Sequence, residues 1–139
     1  APGVPLTGLR IELVEGSPAE RQPGVLAVSY PYAGCSSGIT VYLDRVRSLA
    51  PGADRESALL AYVLVHEITH VIQGVNRHSP SGVMRARWDD DDRAAIFERR
   101  LSFEESDVRL LRRGLAAGWC DRTARLTSRS ESGTGFRPE

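Results

Sequence analysis

Apolar and polar residues follow two different periods along this chain, and the change comes near residue 53. Over 9–14, Leu9, Ile11 and Leu13 alternate with Arg10 and Glu12; over 39–46, Ile39, Val41 and Leu43 alternate with Thr40, Tyr42 and Asp44. A period of two puts one set of side chains on one face of a strand. A short β-rich run at 25–30 lies between these segments. Pro2, Pro5, Pro18, Pro23, Pro31, Gly34 and Gly38 recur often enough to break any long helix. The pattern predicts about three strands in residues 1–53, with Cys35-Ser36-Ser37-Gly38 turning into the last, and no evident helix among them.

Pro51-Gly52 closes this half, and Asp54 then offers an N-cap oxygen to a helix with Glu56 in its first turn. Leu59, Leu60, Val63, Leu64, Ile68, Val71 and Ile72 cover well over half the circumference of a helix predicted over 54–73, and Gly74 supplies a left-handed stop. A helix so apolar is surrounded by protein, so it should be the central element. Residues 76–87 read as a loop. A second helix is expected over 89–100, capped by Asp89 and Asp90 with Ala94, Ala95 and Phe97 facing the core. A third is expected over 102–115, where Ser102-Phe103-Glu104-Glu105 has capping-box spacing. The helical half ends near residue 122, and the Ser-, Arg-, Gly- and Thr-rich tail 123–139 is expected to be mobile. The fold class is α+β: a short mixed sheet packed on a central helix, followed by a loop and C-terminal helices.

A chain of 139 residues is the size of one domain and can hold a core without metal or disulfide staples. A metal site in it would therefore need a functional reason. Lys+Arg and Asp+Glu both total 18, which leaves no global field to draw the chain to nucleic acid or an anionic membrane. The longest apolar run, 58–65, is far short of the roughly 20 residues of a membrane span. The chain opens Ala1-Pro2-Gly3 with no charged-then-apolar leader, which reads as a processed or trimmed start. The compartment is left open, with a secreted or periplasmic location ahead of the others. Cys35 and Cys120 form no CxxC pair; they read equally as one disulfide or as two buried thiols.

The chemistry lies on the central helix. His66-Glu67-Ile68-Thr69-His70 places two imidazoles four residues apart, on one face and one turn from each other, where both can reach one small ion. Glu67 beside the first ligand can accept a proton from a water whose pKa a zinc ion has lowered to about 7, which makes it a general base rather than a ligand. The opposing reading is that two His and a Glu share the solvated face of an ordinary helix. Against it, the pair lies on the most apolar helix of the chain, where an unpartnered polar group is costly. The third and last histidine, His78, follows shortly after the helix stop, and a catalytic zinc takes three protein ligands and keeps one position open.

His66-Glu67-Ile68-Thr69-His70, Gly74, His78 and the single methionine, Met84, resemble the metzincin clan of zinc endopeptidases, matrix metalloproteinases among them, in which HExxHxxGxxH is followed by a Met-turn. Residues 79–84 are similar to the loop between third ligand and Met-turn, and Trp88-Asp89-Asp90-Asp91-Asp92 to the acidic start of the clan's C-terminal helix. The likeness covers about residues 60–97. Gly74 stands one residue later, and His78 two residues later, than the clan pattern places its glycine and third histidine; Asn76 stands at the clan spacing. The resemblance implies a small zincin-like domain, Zn2+ held by His66, His70 and His78, Glu67 as catalytic base, Met84 in a Met-turn, and a peptide or protein substrate cleaved by a monomer.

Alternatives stay open. Glu98, Glu104 or Glu105 could supply the third ligand in place of His78, as a later-helix glutamate does in gluzincins. The strand 39–46 is the candidate to pair with an extended substrate. Tyr30, Tyr32 and Tyr42 are candidates to bind an oxyanion, though packing is the better account of each; Asp44 and Arg45 read as solvated edge charges rather than specificity elements. The rival functions are a zinc-binding or protein-interaction domain without catalysis, and a plain interaction domain whose histidines are incidental.

Overall fold

The protein's structure, a computed structural model, describes residues 8–119. Three strands, β1 (Arg10–Val14), β2 (Ala27–Ser29) and β3 (Gly38–Tyr42), form a sheet in the order β1-β3-β2. β1 runs parallel to β3, with Ile11 opposite Ile39 and Leu13 opposite Val41, whereas β2 runs antiparallel, with Ala27 opposite Val41. The mixed sheet is as expected. The alternation in β1 marks the strand correctly, yet its apolar face is uncovered: Ile11 and Leu13 stay 43% and 48% exposed.

The strand expected over 39–46 is corrected. β3 stops at Tyr42 and the chain passes straight into helix α1 (Leu43–Leu49), so the first half does contain a helix. Leu43 serves two patterns at once. It ends the alternation Ile39, Val41, Leu43 and begins the helical spacing Leu43, Val46, Ala50, all of which are buried. Short apolar runs do not separate the two periods. The turn into α1 also directs Arg45 at the segment before β2, where its guanidinium donates to the carbonyls of Arg21, Gln22 and Val25 at 3.1, 2.8 and 2.7 Å. Asp44 accepts from the Ser17 hydroxyl at 2.8 Å. These two side chains, expected to be solvated, hold residues 17–25 in place.

Helix α2 (Ala53–Gln73) is the centre of the fold. Its N-cap is Gly52 rather than Asp54; Asp54 sits in the first turn and pairs with Arg99 at 2.9 Å. Ala58, Leu59 and Val63 meet Ile39, Val41, Leu43, Val46 and Ala50 of β3, α1 and the residue after α1, with Ile96 of α3 closing the core. α3 (Asp90–Phe97) begins at the expected cap, where Asp89 and Asp92 form a reciprocal capping box. α4 (Glu105–Ala116) starts three residues later than expected. The carbonyl of Ser102 accepts from the Val83 amide at 2.9 Å, and this tertiary bond holds the segment extended as far as Glu104. No described helix is long and apolar enough to cross a membrane. The tail 123–139 and Cys120 lie outside the described residues, and with Cys120 the disulfide expectation.

α4 crosses α2 at backbone contact, because a Cβ on Gly114 would lie 1.9 Å from the carbonyl oxygen of Ile72. Gly114→Ala should therefore destabilise the protein by about 2–3 kcal/mol through overpacking. Urea unfolding checks this, and a variant as stable as the wild type would contradict the close crossing.

Candidate metal centre

α2 carries His66 and His70 on one face and ends at Gly74, whose φ of 68° needs the left-handed conformation glycine adopts freely. The Gly74 amide donates to the His70 carbonyl at 2.9 Å, and the chain turns back to bring His78 against the pair. The Nε2 of His70 lies 3.1 Å from that of His66 and 3.2 Å from that of His78. The extra residues before Gly74 and His78, relative to the metzincin spacing, thus do not keep the third imidazole from arriving.

The outer nitrogens decide what the inner ones can do. Nδ1 of His66 lies 2.7 Å from the Val83 carbonyl, and Nδ1 of His70 lies 3.1 Å from the Val75 carbonyl. A carbonyl oxygen only accepts, so each Nδ1 carries the proton and, in a neutral ring, each Nε2 presents a lone pair. Two lone pairs 3.1 Å apart repel. A proton on His78 Nε2 could bridge to His70 alone and would leave His66 and His70 opposed. One cation between them resolves the conflict, since nitrogens 2.0–2.1 Å from a tetrahedral ion stand about 3.3 Å apart. The three histidines form the group of His, Cys, Asp or Glu side chains among the described residues that could hold a metal ion.

Burial also keeps the rings neutral. Desolvation pushes His66 down from 6.5 to about 4, against the Val83 hydrogen bond, and His70 likewise to about 4, helped by the nearby His66. Glu67 moves the other way: burial raises its carboxyl, while a Ser29 hydrogen bond and the charges of His70 and His78 oppose the rise. All four side chains border a cleft of about 660 Å3. α2 forms its floor with Leu59, Val63, His66, Glu67 and His70; one wall is residues 22–29, ending in β2, and the other is residues 85–88. Trp88 packs its ring edge-on to His66 at 5.7 Å and donates from Nε1 to the Gly82 carbonyl at 3.3 Å. Met84 is fully buried, and its carbonyl accepts from the Ser79 amide at 2.9 Å, closing the loop after His78.

Several candidates are not brought to the site. Glu98 pairs with Arg100 at the surface, Glu105 stays exposed 3.9 Å from Arg109, and Glu104 accepts from the amide and hydroxyl of Ser81 at 3.0 and 2.6 Å. None joins the histidines: the group that could hold a metal ion gathers with His78 and without a downstream glutamate. Tyr30 and Tyr32 are exposed, and Tyr42 is buried under Arg45; no tyrosine borders the cleft. The proposed substrate-pairing strand is corrected as well: β3 is the middle strand, with both neighbours in place, and β2 is the edge that borders the cleft. Asn76 lines the cleft without joining the histidines. Asp107, which the sequence did not flag, is a fully buried carboxylate that Ser79, Arg77 and Gln73 all reach. Its position on α4 reads as one more helix-face acid, so local pattern carried no signal for it.

The chain matches no protein-family model, no curated protein and no solved structure.

Because His66 and His70 are depressed, the unfolded metal-free chain binds more protons than the folded one between pH 6.5 and about 4. Stability then falls as pH is lowered through that window. The raised Glu67 works in the opposite direction, so the effect is read most clearly in Glu67→Gln. Chelator-treated Glu67→Gln should lose stability on the order of 2–4 kcal/mol from pH 6.5 to 4.5, allowing for partial solvent screening. Chemical denaturation at both pH values measures it, and a flat profile would contradict the neutral, buried pair.

Proposed function

We propose that this chain is a zinc-dependent hydrolase of peptide bonds, a metalloendopeptidase of reduced, metzincin-like type. The observation that carries the reading is the pair of Nε2 lone pairs on His66 and His70, fixed by carbonyls and joined by His78, with a half-buried carboxylate, Glu67, on the same cleft. Three imidazoles suit several transition metals. Zinc is favoured because an adjacent glutamate and three-histidine ligation that leaves a fourth position open are the requirements of its hydrolytic chemistry. A structural zinc site has no use for such a base.

Bound Zn2+ would supply Lewis acidity toward a carbonyl and lower the pKa of a water. The chain's own residues do the rest. Glu67, whose pKa burial raises, takes the proton of the attacking water and passes it to the departing amine. β2, the terminal strand of the sheet, offers its main chain to an extended peptide lying along the cleft, which is the usual way a sheet edge binds a chain. The order His66-Glu67-x-x-His70, Gly74, His78, Met84 resembles the metzincin motif, with the glycine one and the third histidine two residues late, and supports the same class.

Purified wild type should carry about one zinc per chain and cleave members of a mixed peptide library. Glu67→Gln should keep the zinc and lose about 10²–10⁴-fold in turnover, the share a positioned general base contributes. His78→Ala should lose the zinc, as elemental analysis will show. A zinc-loaded wild type no more active than Glu67→Gln would reduce the chain to a metal-binding domain without this chemistry.

A further inference from the structure

We propose that Asp107 is the positioning residue for His78, a role that rests on the metal reading above. His66 and His70 are each held twice, by the rigid helix that carries them and by a carbonyl on Nδ1. His78 has neither. It lies in an irregular, exposed segment, and its ring makes contact among the described residues through Nε2 with His70 and by stacking on His66. Its place in the site has to come from the backbone on either side.

Asp107 takes hold of both sides. Its Oδ2 accepts from the Ser79 hydroxyl at 2.6 Å, and its Oδ1 accepts from the Arg77 guanidinium at 3.2 Å. Arg77 and Ser79 are the two neighbours of His78. The amide of Gln73, the last residue of α2, donates to the Asp107 carbonyl at 3.1 Å and reaches Oδ1 at 3.5 Å. One carboxylate therefore joins the end of the ligand helix to the two residues flanking the third ligand.

Burial makes this connection stringent. Asp107 is the one fully buried carboxylate among the described residues, with 0% exposure. A buried carboxylate short of hydrogen-bond donors is strongly destabilising, so α4 docks well only when residues 77–79 are in place. The dependence is mutual, and the docked α4 confines 77–79 to one arrangement. Glu104, the N-cap of α4, adds a second tie to the same loop through the amide and hydroxyl of Ser81. α4 and its N-cap thus contribute two acids that bear on the third ligand through its neighbours, one step further out than a group bonded to a ligand itself.

The test compares wild type, Asp107→Asn and Ser79→Ala by zinc titration against a competing chelator, by the visible spectrum of the Co2+-loaded proteins, and by amide hydrogen exchange of the metal-free proteins. Asp107→Asn should bind zinc about 10-fold more weakly, the lower end of the cost of losing a group bonded to a ligand directly. Its Co2+ absorption should weaken as the site departs from tetrahedral, and exchange should quicken at 77–81 while α2 keeps its protection. Ser79→Ala removes one bond, leaves the carboxylate, and should show the same changes at smaller amplitude. If Asp107→Asn folds with a lower melting temperature but wild-type zinc affinity and Co2+ spectrum, Asp107 is a stability residue only and the proposal fails. If Asp107→Asn does not fold, unchanged affinity in Ser79→Ala overturns it instead. A wild type that takes up no metal sinks the zinc reading and, with it, the ligand role of His78, an outcome distinct from either of the others.

Discussion

The structure depends on one conflict and its resolution: the helix that must be buried on most sides to make a core also carries two imidazoles in its buried part. α2 supplies Ala58, Leu59 and Val63 to the centre of the molecule, and one turn beyond Val63 the same helix presents His66 and then His70. Buried polar rings need partners. Their outer nitrogens find them in the carbonyls of Val83 and Val75, both supplied by the chain that follows the helix. The path of the loop is thereby bound to the ligand face, and the inner nitrogens are left with lone pairs that face one another.

From this constraint the remaining architecture follows in layers. The loop that gives up the Val83 carbonyl buries Met84 beside it and is held by the Ser102 carbonyl, by Glu104 and by Asp107. α4 must then lie close, and Gly114 is the place where its backbone touches that of α2. On the other side, α1 turns Arg45 onto the carbonyls of residues 21–25, which stiffens the wall opposite the loop and sets β2 along the cleft. Glycine at two positions, Gly74 at the helix stop and Gly114 at the crossing, allows both the turn toward His78 and the approach of α4.

The parts legible in the sequence are those governed by local rules. The span of α2, its stop at Gly74, the cap of α3 at Asp89 and the existence of three strands follow from period, capping and turn chemistry within a few residues. Where local signals competed, the sequence misled. Leu43 fits both an alternating and a helical pattern, and only its packing against α2 selects the helix. Ser102 has the spacing of a cap but gives its carbonyl to Val83, a partner 19 residues earlier, and so the helix begins at Glu105 instead.

The same division runs through the site. By itself the sequence determined that His66 and His70 share one helical face, because a spacing of four brings a residue back to nearly the same side at 3.6 residues per turn, and that Glu67 stands next to the first of them. It determined, too, that the only other histidine lies just past the helix stop. The tertiary structure decided that His78, and not a glutamate of α4, completes the group; that β2 rather than β3 borders the cleft; and that Asp107 grips both neighbours of His78. Each of these joins residues far apart in the chain, and no local period encodes which distant carbonyl, carboxylate or sheet edge will meet a given side chain. That choice is made by the packing of a buried helix whose polar groups must all be satisfied at once.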